Sequence, residues 1–286
     1  MALGFFASVN GQVVPAEEAR VSVLDHGFTF GDAVYETLRT YAGRPFRLDR
    51  HLSRLRASAA RLGIAVPEDD RELAARLDAL LARAGNAESY IRVIVTRGEG
   101  DLSYNFDRVK GPTVVMAVKP FQGPPPSHYA DGIDVIVAAV RRNHPLALDP
   151  VIKSCNLLNN ILAVREAQAR GAAEALLLNH AGEVAEGAST NVFAARAGAV
   201  VTPPLTAGIL AGITREIVLE LAPRAGVAAR EETLAPEALL AADEVFLTST
   251  TREVVPVRRV DGRPIGDGRP GPITRRLMAA FRDAVR

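Results

Sequence analysis

The stretch KPFQGPPPSHYADG, residues 119–132, constrains the fold more than any other. Pro124, Pro125 and Pro126 in succession can continue neither a helix interior nor a central strand. The chain is therefore expected to divide into a small N-terminal domain over 1–121, a proline-rich linker over 122–132 and a C-terminal domain over 133–286.

Each half mixes strand and helix patterns. GFFASVNGQVVP reads as a hairpin about Asn10-Gly11, and AVYETLRTYAGRPF as a strand pair turning at Ala42-Gly43. Leu48, Leu52, Leu55, Ala59 and Leu62 recur at spacings of four and three, which predicts an amphipathic helix. A second helix is expected over 71–84, ended by Gly85, and SYIRVIVTRG and PTVVMAVKP are β-rich. Beyond the prolines come a strand, IDVIVAAV, a helix over about 156–170, and short strands in AEALLLN, GEVAE, NVFAAR and AVVTP. AGITREIVLELAPRAG reads as a helix entered through Gly212, ADEVFLTSTTREVVPV as two strands about a Thr-rich turn, and 273–284 as a closing helix. The expected class is α+β, with helices and mostly antiparallel strands in both halves.

Composition excludes more than it selects. With 286 residues, 48% hydrophobic and 23% charged, the chain can bury a sizeable core. A formal net charge of +1 gives no reason to expect nucleic acid, and Arg50, Arg54, Arg56 and Arg61 read as a solvated helix face. A single cysteine, Cys155, allows no internal disulfide and fits a reducing cytoplasm. MALGFFASVNGQVV lacks a basic start and a long apolar run, so no signal peptide is expected, and no run is long enough to span a bilayer. The five histidines form no i, i+4 pair, and no metal site is expected. RGEG has no Walker A spacing, and there is no G-x-S-x-G.

One residue stands out against this background. Only three lysines, Lys110, Lys119 and Lys153, occur among 34 basic residues. A drift from Lys to Arg spares lysines that are needed, or spares them by chance. An ε-amine can lose its proton near neutral pH when desolvated and condense with a carbonyl, which a guanidinium cannot do. Taken alone, Lys153 is also readable as a surface lysine at a helix start. Val151 and Ile152 before it suggest a buried strand end, where an unpaired ammonium is expensive. If the carbonyl belongs to pyridoxal phosphate, its ring nitrogen needs an acidic or Arg partner, and its phosphate needs Arg and helix N-terminal amides. Glu186, in a polar turn between strands, Arg54, on an amphipathic helix, and the helix start at Gly212, Ile213 and Thr214 are candidates. Each has an ordinary alternative, as a solvated turn or a simple cap.

The order of the pieces adds a resemblance to these single readings. FTFGDAVYETLR, HLSRL, IKSCNLLNN, EGASTNVF, GITRE and DEVFLTSTTREVVPV together resemble the fold-type IV pyridoxal-phosphate enzymes. That class holds branched-chain aminotransferases, D-amino acid aminotransferases and aminodeoxychorismate lyases, and the resemblance runs from about Phe5 to the final helix. It implies that Lys153 is the Schiff-base lysine and general acid/base, and that Glu186 pairs with the ring nitrogen of pyridoxal 5'-phosphate. It implies a phosphate site of Arg54, Ile213, Thr214 and Thr250, with Ser189 and Thr190 in the loop beside Glu186. Thr250 and Thr251 would offer amides to a substrate carboxylate, and Phe30 and Tyr35 would line the pocket. A smaller N-terminal α/β domain, a larger C-terminal domain with a mostly antiparallel, barrel-like core, and a cytoplasmic homodimer, or a higher homo-oligomer, acting on small amino acids and 2-oxo acids follow from the same likeness.

Subfamily rests on fewer residues. SYIR resembles the branched-chain pattern, in which Tyr90 and Arg92 serve substrate carboxylates, whereas the lyases tend to carry Lys in place of Arg92. Leu102 and Tyr104 replace the Arg-x-His trap of D-amino acid aminotransferases. Against the branched-chain pattern, Leu158 stands where a Tyr is usual, as in the D-specific enzymes, and Phe30 also replaces a Tyr. The leading expectation is a ping-pong transaminase for aliphatic amino acids with 2-oxoglutarate. D-amino acid transamination, a lyase and a non-catalytic ligand-binding relative follow in that order.

Overall fold

The computed structural model describes residues 4–286. They form two compact units, one running to Gln122 and including Ile152–Asn156, the other made of Gly123–Val151 and Leu157–Arg286.

In the first unit, Asn10 and Gly11 both adopt positive φ, 47° and 89°. That is the twist needed to join adjacent antiparallel strands, here β1 (Phe6–Val9) and β2 (Gln12–Pro15). The long β3 (Ala33–Tyr41) turns into the short β4 (Arg44–Pro45), and β5 (Ser89–Thr96) and β6 (Val114–Pro120) complete the sheet. Its order is β2-β1-β6-β5-β3-β4, antiparallel throughout. Residues alternate along β3 and β5, and the even-numbered β3 side chains and odd-numbered β5 side chains are buried. They pack under two helices, α2 (Leu48–Arg61) and α3 (Asp70–Ala84), where Val34, Leu38, Ile91 and Val93 meet Leu52, Leu55, Leu73 and Leu77. Truncating a buried leucine such as Leu55 to Ala costs about 2–5 kcal/mol. The opposite face leaves Tyr35, Thr37, Tyr90 and Arg92 half-buried. A four-residue helix, α1 (His26–Thr29), has no periodicity to betray it; buried Asp25 starts it by accepting from the Gly27 N–H at 2.8 Å.

In the second unit, the proline stretch contains a short helix, α4 (Pro126–Ala130), begun by Pro126 where a missing N–H costs nothing. β7 (Ile133–Val137) follows. α5 (Leu158–Ala169) starts later than Asn156, whose side-chain amide instead donates to the Gly31 carbonyl. Then come β8 (Glu174–Leu178), β9 (Val184–Gly187), β10 (Asn191–Arg196), β11 (Ala199–Thr202), α6 (Ile213–Arg224) and β12 (Ala228–Glu231). The chain ends in α7 (Pro236–Leu240), β13 (Glu244–Ser249), β14 (Glu253–Val260), β15 (Arg263–Pro264) and α8 (Pro272–Ala284). Sheet order is β12-β11-β10-β13-β14-β7-β8-β9, with β15 on β14. Its two arms return to each other, because β9 and β10 are consecutive and the Gly187 N–H donates to the Thr190 carbonyl at 2.7 Å. The sheet is thus a curled half-barrel, mostly antiparallel, with parallel pairs β11/β12, β14/β7 and β7/β8. β12 escaped the sequence because it is an exposed edge strand without alternation. No helix among the described residues is long and apolar enough to cross a membrane.

Candidate active site

Lys153 does not end a strand. Val151 and Ile152 lie in a half-buried turn, and the segment after them docks on the free edge of β3 through a bridge between Ser154 and Val34. The Tyr35 N–H donates to the Lys153 carbonyl at 2.9 Å, and the Cys155 N–H to the Ala33 carbonyl at 2.8 Å. From α2, Ser58 Oγ accepts the Lys153 N–H at 3.1 Å. With its backbone tied on both sides, Lys153 places Nζ 4.5 Å from the Tyr35 ring centroid. The guanidinium carbon of Arg92 lies 4.0 Å from the same centroid. Strand pairing explains the meeting: Tyr35 faces Ile94, Thr37 faces Arg92 and Arg39 faces Tyr90, so Tyr35, Tyr90 and Arg92 share one face. Burial pushes the Tyr35 phenol up in pKa, with Arg92 opposing. It does the same to the Cys155 thiol, against Arg92 and Lys153. Tyr90 is covered by Lys119, whose Nζ is 5.1 Å from its ring. Phe30 ends α1 and packs on His26 and Tyr104, at centroid distances of 4.9 and 5.0 Å.

Arg54 departs from the solvated face expected of the arginine run. Its side chain turns inward to buried Glu36, with Nε donating to Oε1 at 2.7 Å and Nη2 to Oε2 at 2.8 Å. His51, one turn earlier on α2, meets Glu36 Oε2 through Nδ1 at 2.7 Å. Burial pushes the Glu36 carboxyl up, but the Arg54 charge and the hydrogen bonds from Arg54 and His51 outweigh it and hold it at about 2. His51 is pushed down, chiefly by burial. Neither Glu36 nor His51 was singled out from sequence, although HLSRL contains the His–Arg spacing.

Glu186 is on strand β9, not in a turn, and is buried. β9 pairs with β8 through a bulge at Ala185, just before Glu186, a device that re-aims side chains. Three donors hold the carboxylate: Arg142 Nε to Oε1 at 2.8 Å, and Asn191 Nδ2 and the Leu210 N–H to Oε2 at 3.1 and 3.0 Å. Arg142 is in turn held by Asn159 Oδ1 at 3.1 Å. Asn191 was legible as a polar residue inside EGASTNVF, whereas Arg142 lies between the motifs, and nothing local marked Glu186 as the partner of either.

The remaining expected residues also lie in the second unit. Gly212 is the N-cap of α6, so the amides of Ile213 and Thr214 fall in its first turn, without intrahelical acceptors. A Cβ at Gly212 would come within 1.9 Å of Asn191 Oδ1, so this approach needs glycine. Thr190 is buried while Ser189 is exposed, its Oγ donating to Glu174 Oε2 at 2.6 Å. Thr250 and Thr251 form the half-buried turn between β13 and β14, followed by Arg252, which pairs with the same Glu174 oxygen at 3.0 Å. Thr190 Oγ1 and Thr248 Oγ1, one adjacent to Asn191 in sequence and one opposite it across the strands, are buried with no hydrogen-bond partner among the described residues. A half-buried amine, a fixed buried carboxylate, a glycine-opened helix start and orphaned hydroxyls match in kind what the aldehyde, ring nitrogen and phosphate of pyridoxal phosphate require.

Residues 33–260 match the amino-transferase class IV family. A protein of Methanocaldococcus jannaschii bearing the name "Putative branched-chain-amino-acid aminotransferase" is 41% identical over 96% of this chain and 94% of its own. The D-alanine aminotransferase of Bacillus licheniformis is 38% identical over 96% and 95%. Among solved structures, the branched-chain aminotransferase of the thermophilic archaeon Thermoproteus uzoniensis with norvaline superposes with a TM-score of 0.90. It is 34% identical and covers 98% of this chain and 94% of that one.

Proposed function

Because the chain belongs to the class IV aminotransferases, enzymes dependent on pyridoxal 5'-phosphate, we propose that it moves an amino group between branched-chain amino acids and 2-oxoglutarate. The two half-reactions run in ping-pong order, the donor leaving as its 2-oxo acid before the acceptor binds. The observation that carries this reading is the stack of Lys153 and Arg92 on Tyr35. It gives the amine an apolar wall suited to an aliphatic side chain and, beside it, a guanidinium suited to the second carboxylate of glutamate. The branched-chain relatives named above support the aliphatic substrates.

Pyridoxal phosphate, when bound, supplies an electrophilic carbonyl and a sink for the electron pair left at the substrate Cα. The chain's residues do the rest. Lys153 Nζ accepts the Cα proton and returns it. The Tyr35 ring keeps water from that amine. Glu186, already oriented by three donors, presents a fixed charge to a ring N–H without reorganising. Arg54, the Ile213 and Thr214 amides and Thr250 hold the phosphate, and the Thr250–Thr251 turn donates to the substrate α-carboxylate. A cytoplasmic homodimer belongs to the same reading.

A second reading, D-amino acid transamination, is favoured by one residue. Leu158, at the start of α5, is exposed where branched-chain enzymes usually carry a Tyr. Single-turnover half-reactions with L-leucine, L-glutamate and D-alanine separate the two. Rapid turnover of L-leucine and L-glutamate is expected; activity confined to D-alanine would overturn the branched-chain reading.

A further inference from the structure

Glu36 is out of place in its surroundings. It occupies the face of β3 that carries Val34 and Leu38 into the first unit's core, and it is fully buried. Burying a carboxylate costs several kcal/mol unless partners return it, and an apolar replacement of such a cluster is often neutral or stabilising. His51, equally buried, adds a second unfavourable choice. With Nδ1–H donated to ionised Glu36, its Nε2 is an acceptor with no hydrogen-bond partner among the described residues. Such an orphan costs about 1–3 kcal/mol. Stability alone gives no reason for this pair. What the two residues accomplish is geometric: both edge donors of Arg54, Nε and Nη2, are seated on the two Glu36 oxygens, so a long, rotamer-rich side chain is locked in one plane.

We propose that Glu36 and His51 are positioning residues that lock the Arg54 guanidinium in the orientation in which it grips the cofactor phosphate. The inference rests on the reading of Arg54 as a phosphate ligand. Its consequence has a sign that no purely electrostatic account shares. The Glu36 charge opposes attraction between Arg54 and a phosphate dianion, so if charge dominated, removing it would tighten binding. If orientation dominates, removing it loosens binding.

The test is titration of apoenzyme, prepared from purified holoenzyme, with pyridoxal phosphate and separately with pyridoxal, which lacks the phosphate. Glu36→Gln is expected to lose about tenfold or more in affinity for pyridoxal phosphate and to leave pyridoxal binding unchanged. His51→Leu should show a smaller loss of the same kind, and His51→Asn, which restores a side-chain N–H near the Nδ1 position, should recover it. His51→Leu carries the test alone if Glu36→Gln does not fold. Unchanged or tighter binding of pyridoxal phosphate in these variants would overturn the proposal, and so would equal losses for both ligands. Arg54→Ala is the separate control: if it fails to discriminate the two ligands, the reading of Arg54 as the phosphate ligand is what has failed.

Discussion

Lys153 Nζ lies over the face of the Tyr35 ring, 4.5 Å from its centroid, on a backbone pinned to β3 and α2. The other two lysines have different surroundings. Lys110 is exposed and paired with Glu99 at 2.9 Å, and Lys119 is exposed over Tyr90. Lys153→Ala should therefore abolish transamination. Borohydride reduction of the holoenzyme followed by peptide mapping should find the pyridoxyl group on Lys153. A label on Lys110 or Lys119 would sink the assignment.

Glu186 is preorganised by Arg142, Asn191 and the Leu210 amide. A neutral isostere keeps the shape and removes the charge. Glu186→Gln should slow the half-reaction by about tenfold to a thousandfold, or about 1.4–4 kcal/mol in barrier. Half-reaction rates equal to those of the unaltered enzyme would reduce Glu186 to a structural residue.

Arg92 reaches the Tyr35 ring from the neighbouring strand. A planar guanidinium can bind a carboxylate through two parallel hydrogen bonds. Arg92→Ala should harm the glutamate half-reaction by about tenfold more than the leucine half-reaction. Stopped-flow rates with the two donors decide this, and equal losses argue against dual recognition.

Acid should expose the Glu36 cluster. Its carboxyl is held at about 2, below the ordinary 4.5, so the unfolded chain takes up the proton first as pH falls. The advantage of the ionised over the protonated carboxyl in the folded state is complete above pH 4.5 and is lost as pH falls toward 2. A shift of this size corresponds to about 3 kcal/mol at most. Urea unfolding of wild type and Glu36→Gln across that window should give a steeper decline in the wild type. Parallel profiles would show that Glu36 is not the group responsible.

Local chemistry made much of the fold legible. The positive-φ turn at Asn10-Gly11, the spacing of Leu48, Leu52, Leu55 and Ala59, and the Gly212 helix entry act over a few residues. Residue type and period alone determine such features. One of only three lysines kept among arginines, followed by motifs in a recognisable order, likewise pointed to Lys153, Glu186 and Arg54. What the sequence could not state was what each charge would meet. Alternation in AVYETLR separates Glu36 from Tyr35, but which face is buried depends on helices packed later. Glu36 finds its partners 15 and 18 residues away, on α2. Glu186 looks like a turn residue until pairing with β8 makes its segment a strand and brings Arg142, 44 residues distant, to its oxygen. Backbone preference is a short-range property of the chain. The partner that lets a buried charge persist is chosen only when distant segments close around it.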